Sequence, residues 1–237
     1  MHLFWTAFKF LATFPSPRRV ATTPQEIGRS TPFFPLVGLC LGLVLVLLNQ
    51  ILEPYLESEI LGVVLVSILI LLTRAQHLEG LRESFDRIGS GGGGEGVASN
   101  RIGISGILAV MVVIMLKFRA IEVMGEVRSQ GLLLAPVLSR WSMVILAYGF
   151  QSVQDGMGRI LMEQVGGRHL LAATTIALIL VILMGGRPGL WIALWVSILT
   201  LSGGWHLHRL TGGVRGDDVG AVVEICEAFV LVLFASF

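Results

Sequence analysis

The run Phe33-Phe34-Pro35-Leu36-Val37-Gly38-Leu39-Cys40-Leu41-Gly42-Leu43-Val44-Leu45-Val46-Leu47-Leu48-Asn49-Gln50 holds no Asp, Glu, Lys or Arg. A helix that crosses a bilayer needs about 20 mostly apolar residues, and this run supplies nearly that. Six further candidates follow: Ile60–Thr73, Ile102–Phe118, Gly131–Phe150, Leu170–Met184, Gly189–Ser202 and Val219–Phe237. Several are short, so they must extend into neighbouring polar residues, tilt less or stop short of spanning. Of the 237 residues 54% are hydrophobic and 14% charged, with mean hydropathy +0.81. Soluble domains carry roughly 25% charged residues. The deficit is spread along the chain, which excludes a soluble domain with one anchor. No period-2 pattern of a barrel appears, and helices are then the way to satisfy the backbone in lipid. The sequence predicts an all-α polytopic membrane protein with six to seven transmembrane helices, a single integral membrane domain over residues 1–237. The first residues, through Phe14, read as an interfacial segment and not as a cleaved signal peptide.

Charge gives the orientation. With the N-terminus inside and seven alternating spans, the inner segments hold Lys9, Arg18, Arg19, Arg29, Arg74, Arg82, Arg87, Arg101, Arg159, Arg168, Arg209 and Arg215. The outer side holds Lys117, Arg119, Arg128 and Arg187. The excess of basic residues inside follows the positive-inside rule. The long polar connections Arg74–Arg101 and Gly203–Asp218 are then both cytoplasmic, and Gly91–Gly94 is a flexible break in the first. Net charge is +1, so nothing points to nucleic acid. Cys40 and Cys226 lie in apolar runs and read as small buried residues, not as a disulfide or zinc framework.

The chemistry concentrates in those two connections. In His77-Leu78-Glu79-Gly80-Leu81-Arg82-Glu83-Ser84-Phe85-Asp86, the acids fall at i, i+4 and i+7, one face of a helix. Stacked carboxylates repel and favour a cation, and Mg²⁺ shared with substrate phosphates suits such oxygens. His77 can face the same cavity. The spacing equally fits a solvated face with Arg82 and Arg87 as counter-ions. In the second connection, Thr211-Gly212-Gly213-Val214-Arg215-Gly216-Asp217-Asp218 joins glycines suited to a phosphate cradle to two aspartates, either of which can cap the next helix. Glu224 and Glu227 follow inside an apolar helix, where carboxylates are functional candidates. His206, His208 and Arg209 fit either contact with an anionic substrate or interfacial snorkelling. Arg101 fits phosphate binding or a topology signal. Arg140, within a span, needs a buried partner or a polar cavity.

Taken in order, these pieces resemble the cobalamin synthase family, the adenosylcobinamide-GDP ribazoletransferases, over nearly the whole chain. Phe10-Leu11-Ala12-Thr13-Phe14-Pro15 is similar to its F-L-T-x-x-P, and Phe33 to Gly38 to its F-P-L-V-G. His77 to Asp86 is similar to its H-L-D-G-L-A-D-T-x-D-G. Ser99 to Gly103 with Gly106 lies where the family has K-D-S-R-I-G-x-x-G. Pro136 and Arg140 match P-x-x-x-R, and the stretch from Thr211 to Ala221 is similar to G-G-x-T-G-D-x-x-G-A. Glu79 and Glu83 stand where the family has aspartates, Arg87 where it has glycine, Arg74 and Ala75 where it has Gly-Gly, and Arg215 where it has threonine.

The resemblance implies a Mg²⁺-dependent transferase of cobalamin biosynthesis in a bacterial or archaeal cytoplasmic membrane, its site facing the cytoplasm. It would move the adenosylcobinamide phosphate moiety from adenosylcobinamide-GDP to α-ribazole or its 5′-phosphate and release GMP. It implies His77, Glu83, Asp86 and Asp217 as catalytic residues and Glu79, Glu83, Asp86 and Asp217 as metal ligands. Arg101, Arg140, Thr211, Gly212, Gly213 and Gly216 would bind substrate. A homo-oligomer is compatible with the sequence. A CDP-alcohol-type phosphotransferase is the alternative within membrane transferases, but its full D-G-x-x-A-R…G…D…D spacing is missing. A small transporter predicts mid-span acids and an inverted repeat; Glu224 and Glu227 fit the first, and no repeat is visible.

Overall fold

The computed structural model describes residues 2–12, 23–90, 103–153 and 157–237. Among these residues all regular structure is helical, apart from a bridge between Ser152 and Val214. The helices are α1 (His2–Leu11), α2 (Pro24–Ser30), α3 (Phe34–Leu52), α4 (Ser58–Leu72), α5 (Gln76–Gly89), α6 (Ile104–Val123), α7 (Arg128–Gly149), α8 (Met157–Gln164), α9 (Gly167–Thr211) and α10 (Gly216–Phe234).

Helix α7 is the central pole, and every residue from Gly131 to Ala147 is buried. Helix α3 lies antiparallel against it through two glycines spaced i, i+4. A Cβ on Gly38 would sit 2.3 Å from the Pro136 carbonyl oxygen, and one on Gly42 2.6 Å from that of Leu133. Small residues at this spacing let backbones approach where lipid gives helices no hydrophobic reason to associate.

Among the described residues four helices are long and apolar enough to cross a membrane, or five if the bent pair α4–α5 counts as one span. The six or seven passes read from hydropathy differ from this for two physical reasons. First, α9 is two limbs. Gly186 has φ 54° and ψ −142°, open to glycine alone, and a Cβ on Gly189 would lie 3.4 Å from the carbonyl oxygen of Val181. Eight residues of straight helix would separate those positions by about 12 Å. The chain therefore doubles back at Gly186, beside Leu134 near the start of α7, while Gly167 and Gly204 both lie by its other end, against Tyr148 and Phe150. Second, α10 carries Asp217, Asp218, Glu224 and Glu227, a charge load that hides a helix running the length of the bundle. Counting α3, α4, α6, α7, the two limbs of α9 and α10 gives seven passes.

One end of the bundle is clamped by Arg128, which is 7% exposed. Its Nε donates to the carbonyls of Ile121 and Met124 at 3.1 Å, and its two Nη atoms reach Glu53 and Ser58. The ends of α3, α4, α6 and α7 meet there. Lys117, placed by the charge count in an outer flank, is instead buried inside α6, because two carboxylates of α10 bind it within the bundle. The opposite end holds the described parts of both polar connections, residues 74–90 and 203–218, so their expected position on one side agrees with the fold.

At that end the chain turns 89° from α4 into α5. Arg74 and Ala75 make the turn in the left-handed region, at φ 55° and 54°. This conformation costs an L-residue about 1–2 kcal/mol. Ala75→Gly is expected to stabilise the protein by about 0.5–1 kcal/mol after the entropic penalty of glycine, a rise of roughly 1–4 °C in the thermal unfolding midpoint in detergent. A fall would count against strain at this turn.

Candidate active site

Helix α5 lies across the end of the bundle and is amphipathic. Leu78 and Leu81 face α6 and α10 with Val113 and Ala221, while Glu79, Arg82 and Glu83 are on the outer side. It crosses α10 at two glycines. A Cβ on Gly80 would lie 2.6 Å from the Asp217 carbonyl oxygen, and one on Gly220 3.1 Å from that of His77. This close crossing brings Glu83 and Asp217 within hydrogen-bonding reach of each other, with Glu79 near enough to repel Glu83. Partial burial, then the neighbouring Asp217 carboxylate, raises the Glu83 carboxyl above its ordinary value of 4.5.

Two like charges held together call for a proton or a cation. Mg²⁺ is commonly bound by one or two carboxylates and completed by substrate phosphates and water. Glu83 and Asp217 fit that role, with Glu79 at the edge. Among the described residues no three His, Cys, Asp or Glu side chains group as an all-protein metal site. The sign of the pH dependence follows. A carboxyl whose value is raised by folding contributes stability that is present below pH 4.5 and is lost as pH rises through the raised value. Thermal stability without divalent cation is therefore expected to fall as pH rises across that window, and added Mg²⁺ to restore it more at pH 7.5 than at pH 5. Equal Mg²⁺ shifts at both would exclude Glu83 from the site.

The remaining carboxylates do structural work that residue spacing did not reveal. Asp86 is turned away from Asp217 toward α6. It accepts from Arg82 at 3.0 Å, from the amide of Gly103 at 3.0 Å and from that of Gly106 at 2.7 Å. An anion at a helix N-terminus satisfies orphan donors and the dipole. A Cβ on Gly103 would fall 2.1 Å from the Asp86 carboxylate, which accounts for the Gly-x-x-Gly pattern. Asp218 is fully buried. It accepts from Ser84 Oγ at 2.6 Å, from the amide of Arg215 at 2.8 Å and from Arg87, so it is the aspartate that caps α10.

Of the residues expected to bind substrate, Thr211 donates to the carbonyls of Leu207 and Gly213 and closes α9. Gly212 caps that helix in the left-handed conformation at φ 77°. Gly213 packs against Val153 and Gln151. Gly216 is exposed and opens α10. Arg140 is 1% exposed in α7 and pairs with Glu227 inside the bundle. His77 is buried beneath α5, and its Nε2 has no partner among the described residues. Arg101, Ser99, Asn100 and the Gly91–Gly94 break lie outside the described residues. A cavity of about 570 Å³ opens at the same end, lined by Tyr148, Phe150, Gln151, Ser152, Arg159 and Glu163 among others. Its wall is bonded to the glycine loop, with the Val214 amide 3.0 Å from the Gln151 carbonyl.

The molecule is thus a polytopic helical membrane protein with paired carboxylates and a cavity at one end. Its sequence matches the profile of the family described as cobalamin-5-phosphate synthase over residues 3–235. It is 33% identical to the adenosylcobinamide-GDP ribazoletransferase of Geotalea daltonii, covering 100% of this chain and 98% of that one. It is 34% identical to that of Syntrophobacter fumaroxidans, over 96% of both chains, and 35% identical to that of Pseudomonas fluorescens, over 99% of both. No solved structure matches. The chain belongs to the cobalamin-5-phosphate synthase family and is a membrane transferase of cobalamin biosynthesis.

Proposed function

We propose that the protein transfers the adenosylcobinamide phosphate moiety of adenosylcobinamide-GDP to α-ribazole or its 5′-phosphate, with Mg²⁺, at the cytoplasmic face of a bacterial or archaeal cytoplasmic membrane. The observation that carries this reading is the Glu83–Asp217 pair, set side by side by the Gly80–Gly220 crossing. In the reaction a ribose hydroxyl of the acceptor forms a bond to the cobinamide-side phosphorus. The bond from that phosphorus to GMP breaks, and the hydroxyl proton leaves to a base. Such transfer needs positioning and charge neutralisation more than covalent chemistry from the protein. Mg²⁺ held by Glu83 and Asp217 would supply the neutralisation. The second Glu83 oxygen or Glu79 would take the hydroxyl proton. The cavity beside Val214 falls within the size range of small-molecule pockets and would seat the acceptor, with Tyr148 and Phe150 against its base. The residue 211–216 loop then lies between acceptor and pyrophosphate.

The test is to incubate the protein in detergent or nanodiscs with adenosylcobinamide-GDP, α-ribazole and Mg²⁺ and to assay GMP and the corrinoid product together. Equal amounts of the two are expected. No turnover from folded protein, beside an active relative as control, would reject the proposal.

A further inference from the structure

The interior of the bundle holds a charged cluster that the proposed chemistry does not use. Lys117 is the one charged residue between Ile104 and Phe118 of α6. Its Nζ lies 2.5 Å from Glu224 Oε2 and 2.6 Å from Glu227 Oε1, both on α10. The other Glu227 oxygen accepts from Arg140 of α7 and, at 3.2 Å, from Ser139 Oγ, which itself accepts from Arg140 at 2.8 Å. Two cations meet two carboxylates, and the side chains of the four are between 1% and 6% exposed.

Such a cluster is a poor device for stability alone. Removing charges from water costs as much as their attraction returns, and well-packed apolar residues of like volume do as well or better. What it supplies is register. An apolar helix among apolar helices can slide or turn while Val222, Val223 and Leu231 find new neighbours. An ammonium wedged between two carboxylates cannot follow, because one residue of slip moves them about 1.5 Å along the axis and 100° around it. At the site end α10 meets α5 through the bare backbones of Gly80 and Gly220, with Asp218 fastened to Ser84 and Arg87 of α5, so the first turn has one side-chain anchor there and the buried cluster supplies the second, two turns further in. Asp217 and Glu224 are seven residues apart, two turns on one face of α10 and about 10 Å along its axis. Fixing Glu224 fixes the direction in which Asp217 points.

We infer that Lys117 is a positioning residue: by holding Glu224 and Glu227 it sets the depth and rotation of α10 and so aligns Asp217 with Glu83. This rests on the reading of Glu83 and Asp217 as the cation-binding pair.

The test uses the neutral double variant Lys117→Met/Glu224→Gln, which leaves Arg140 paired with Glu227 and adds no unpaired charge. Mn²⁺ is the probe, its binding followed by electron paramagnetic resonance without substrates, alongside steady-state kinetics. The double variant is expected to bind Mn²⁺ about tenfold more weakly. Its kcat should fall on the order of 10- to 100-fold, the scale of a 1 Å misplacement, with the KM for adenosylcobinamide-GDP changed less than about threefold. Wild-type Mn²⁺ affinity and wild-type kcat in the double variant would overturn the inference. If the double variant does not fold, Lys117→Arg carries the test. It keeps both ion pairs with a longer side chain, and Mn²⁺ binding several-fold weaker is expected, while unchanged affinity overturns the inference. Failure of the underlying reading is separate, since the wild-type protein would then bind no Mn²⁺ at this pair and Asp217→Asn would leave Mn²⁺ binding unchanged.

Discussion

Asp217→Asn is expected to lower turnover by at least about 100-fold at saturating Mg²⁺, the scale seen when a group that stabilises transition-state charge is removed, and to leave the fold intact. Asp217 is the second residue of α10, half-buried, and lies beside Glu83. Asparagine keeps the shape and loses the charge. The cation site drops to one full carboxylate, and the phosphates lose part of what offsets their charge as the bond to GMP breaks. Stability should be unchanged or slightly higher, because repulsion with Glu83 is relieved. GMP release and thermal unfolding, measured on the same preparation, check both halves. Turnover within threefold of wild type would remove Asp217 from the mechanism.

The neighbouring substitution, Asp218→Asn, should do the reverse. Asp218 is fully buried and receives Ser84, Arg87 and the Arg215 amide. Neutralising it leaves the Arg87 guanidinium, itself only 14% exposed, without its counter-charge. Removing one member of a buried pair costs about 3 kcal/mol or more, a drop of roughly 6–12 °C for a chain of this size. At low temperature the surviving folded fraction should turn over with near-normal KM. Arg87→Leu combined with Asp218→Asn should recover much of the loss, since no orphan charge remains. An Asp218→Asn protein that melts with wild type would show that the Arg87 pair does not hold α5 to α10.

Two aspartates side by side are thus expected to divide fold from chemistry, and the sequence could nominate both without saying which does what. The split depends on one atom, the Arg215 amide, which selects Asp218 three residues on as the cap. The passes themselves were legible, because a missing charge over a span-length run has few other meanings in a chain this apolar. The reversal at Met184-Gly185-Gly186-Arg187-Pro188 was legible for a related reason: glycine and proline interrupt the run where the helix doubles back. The i, i+4, i+7 spacing of Glu79, Glu83 and Asp86 reads as one acidic face of α5, but only Glu79 and Glu83 stay on the outer side, while Asp86 bonds toward α6. Spacing within a helix carries no information about what crosses it, so the capture of Asp86 by the amides of Gly103 and Gly106 was invisible. Lys117 was misread for the same reason. Near the end of an apolar run it resembles a flanking cation, and its partners lie more than a hundred residues away on α10. Arg140 announced that it needed a buried partner, and Glu227 announced the same, but only the packing joins them.

The end of the bundle gathered around Arg128 has a bearing on how the protein is made. Its helix connections are residues 53–57, residues 124–127 and the bare reversal at Gly186, and Arg128 itself is folded inward among carbonyls. In the orientation the charge count predicts, with this end outside, the translocation machinery would have only short connections to carry across, and each pair of flanking helices could enter the bilayer as a preformed hairpin. Once assembled, that surface offers little for proteases or impermeant reagents to grip, whereas trimming or labelling from the opposite side would meet α5, α8 and the glycine loop at once.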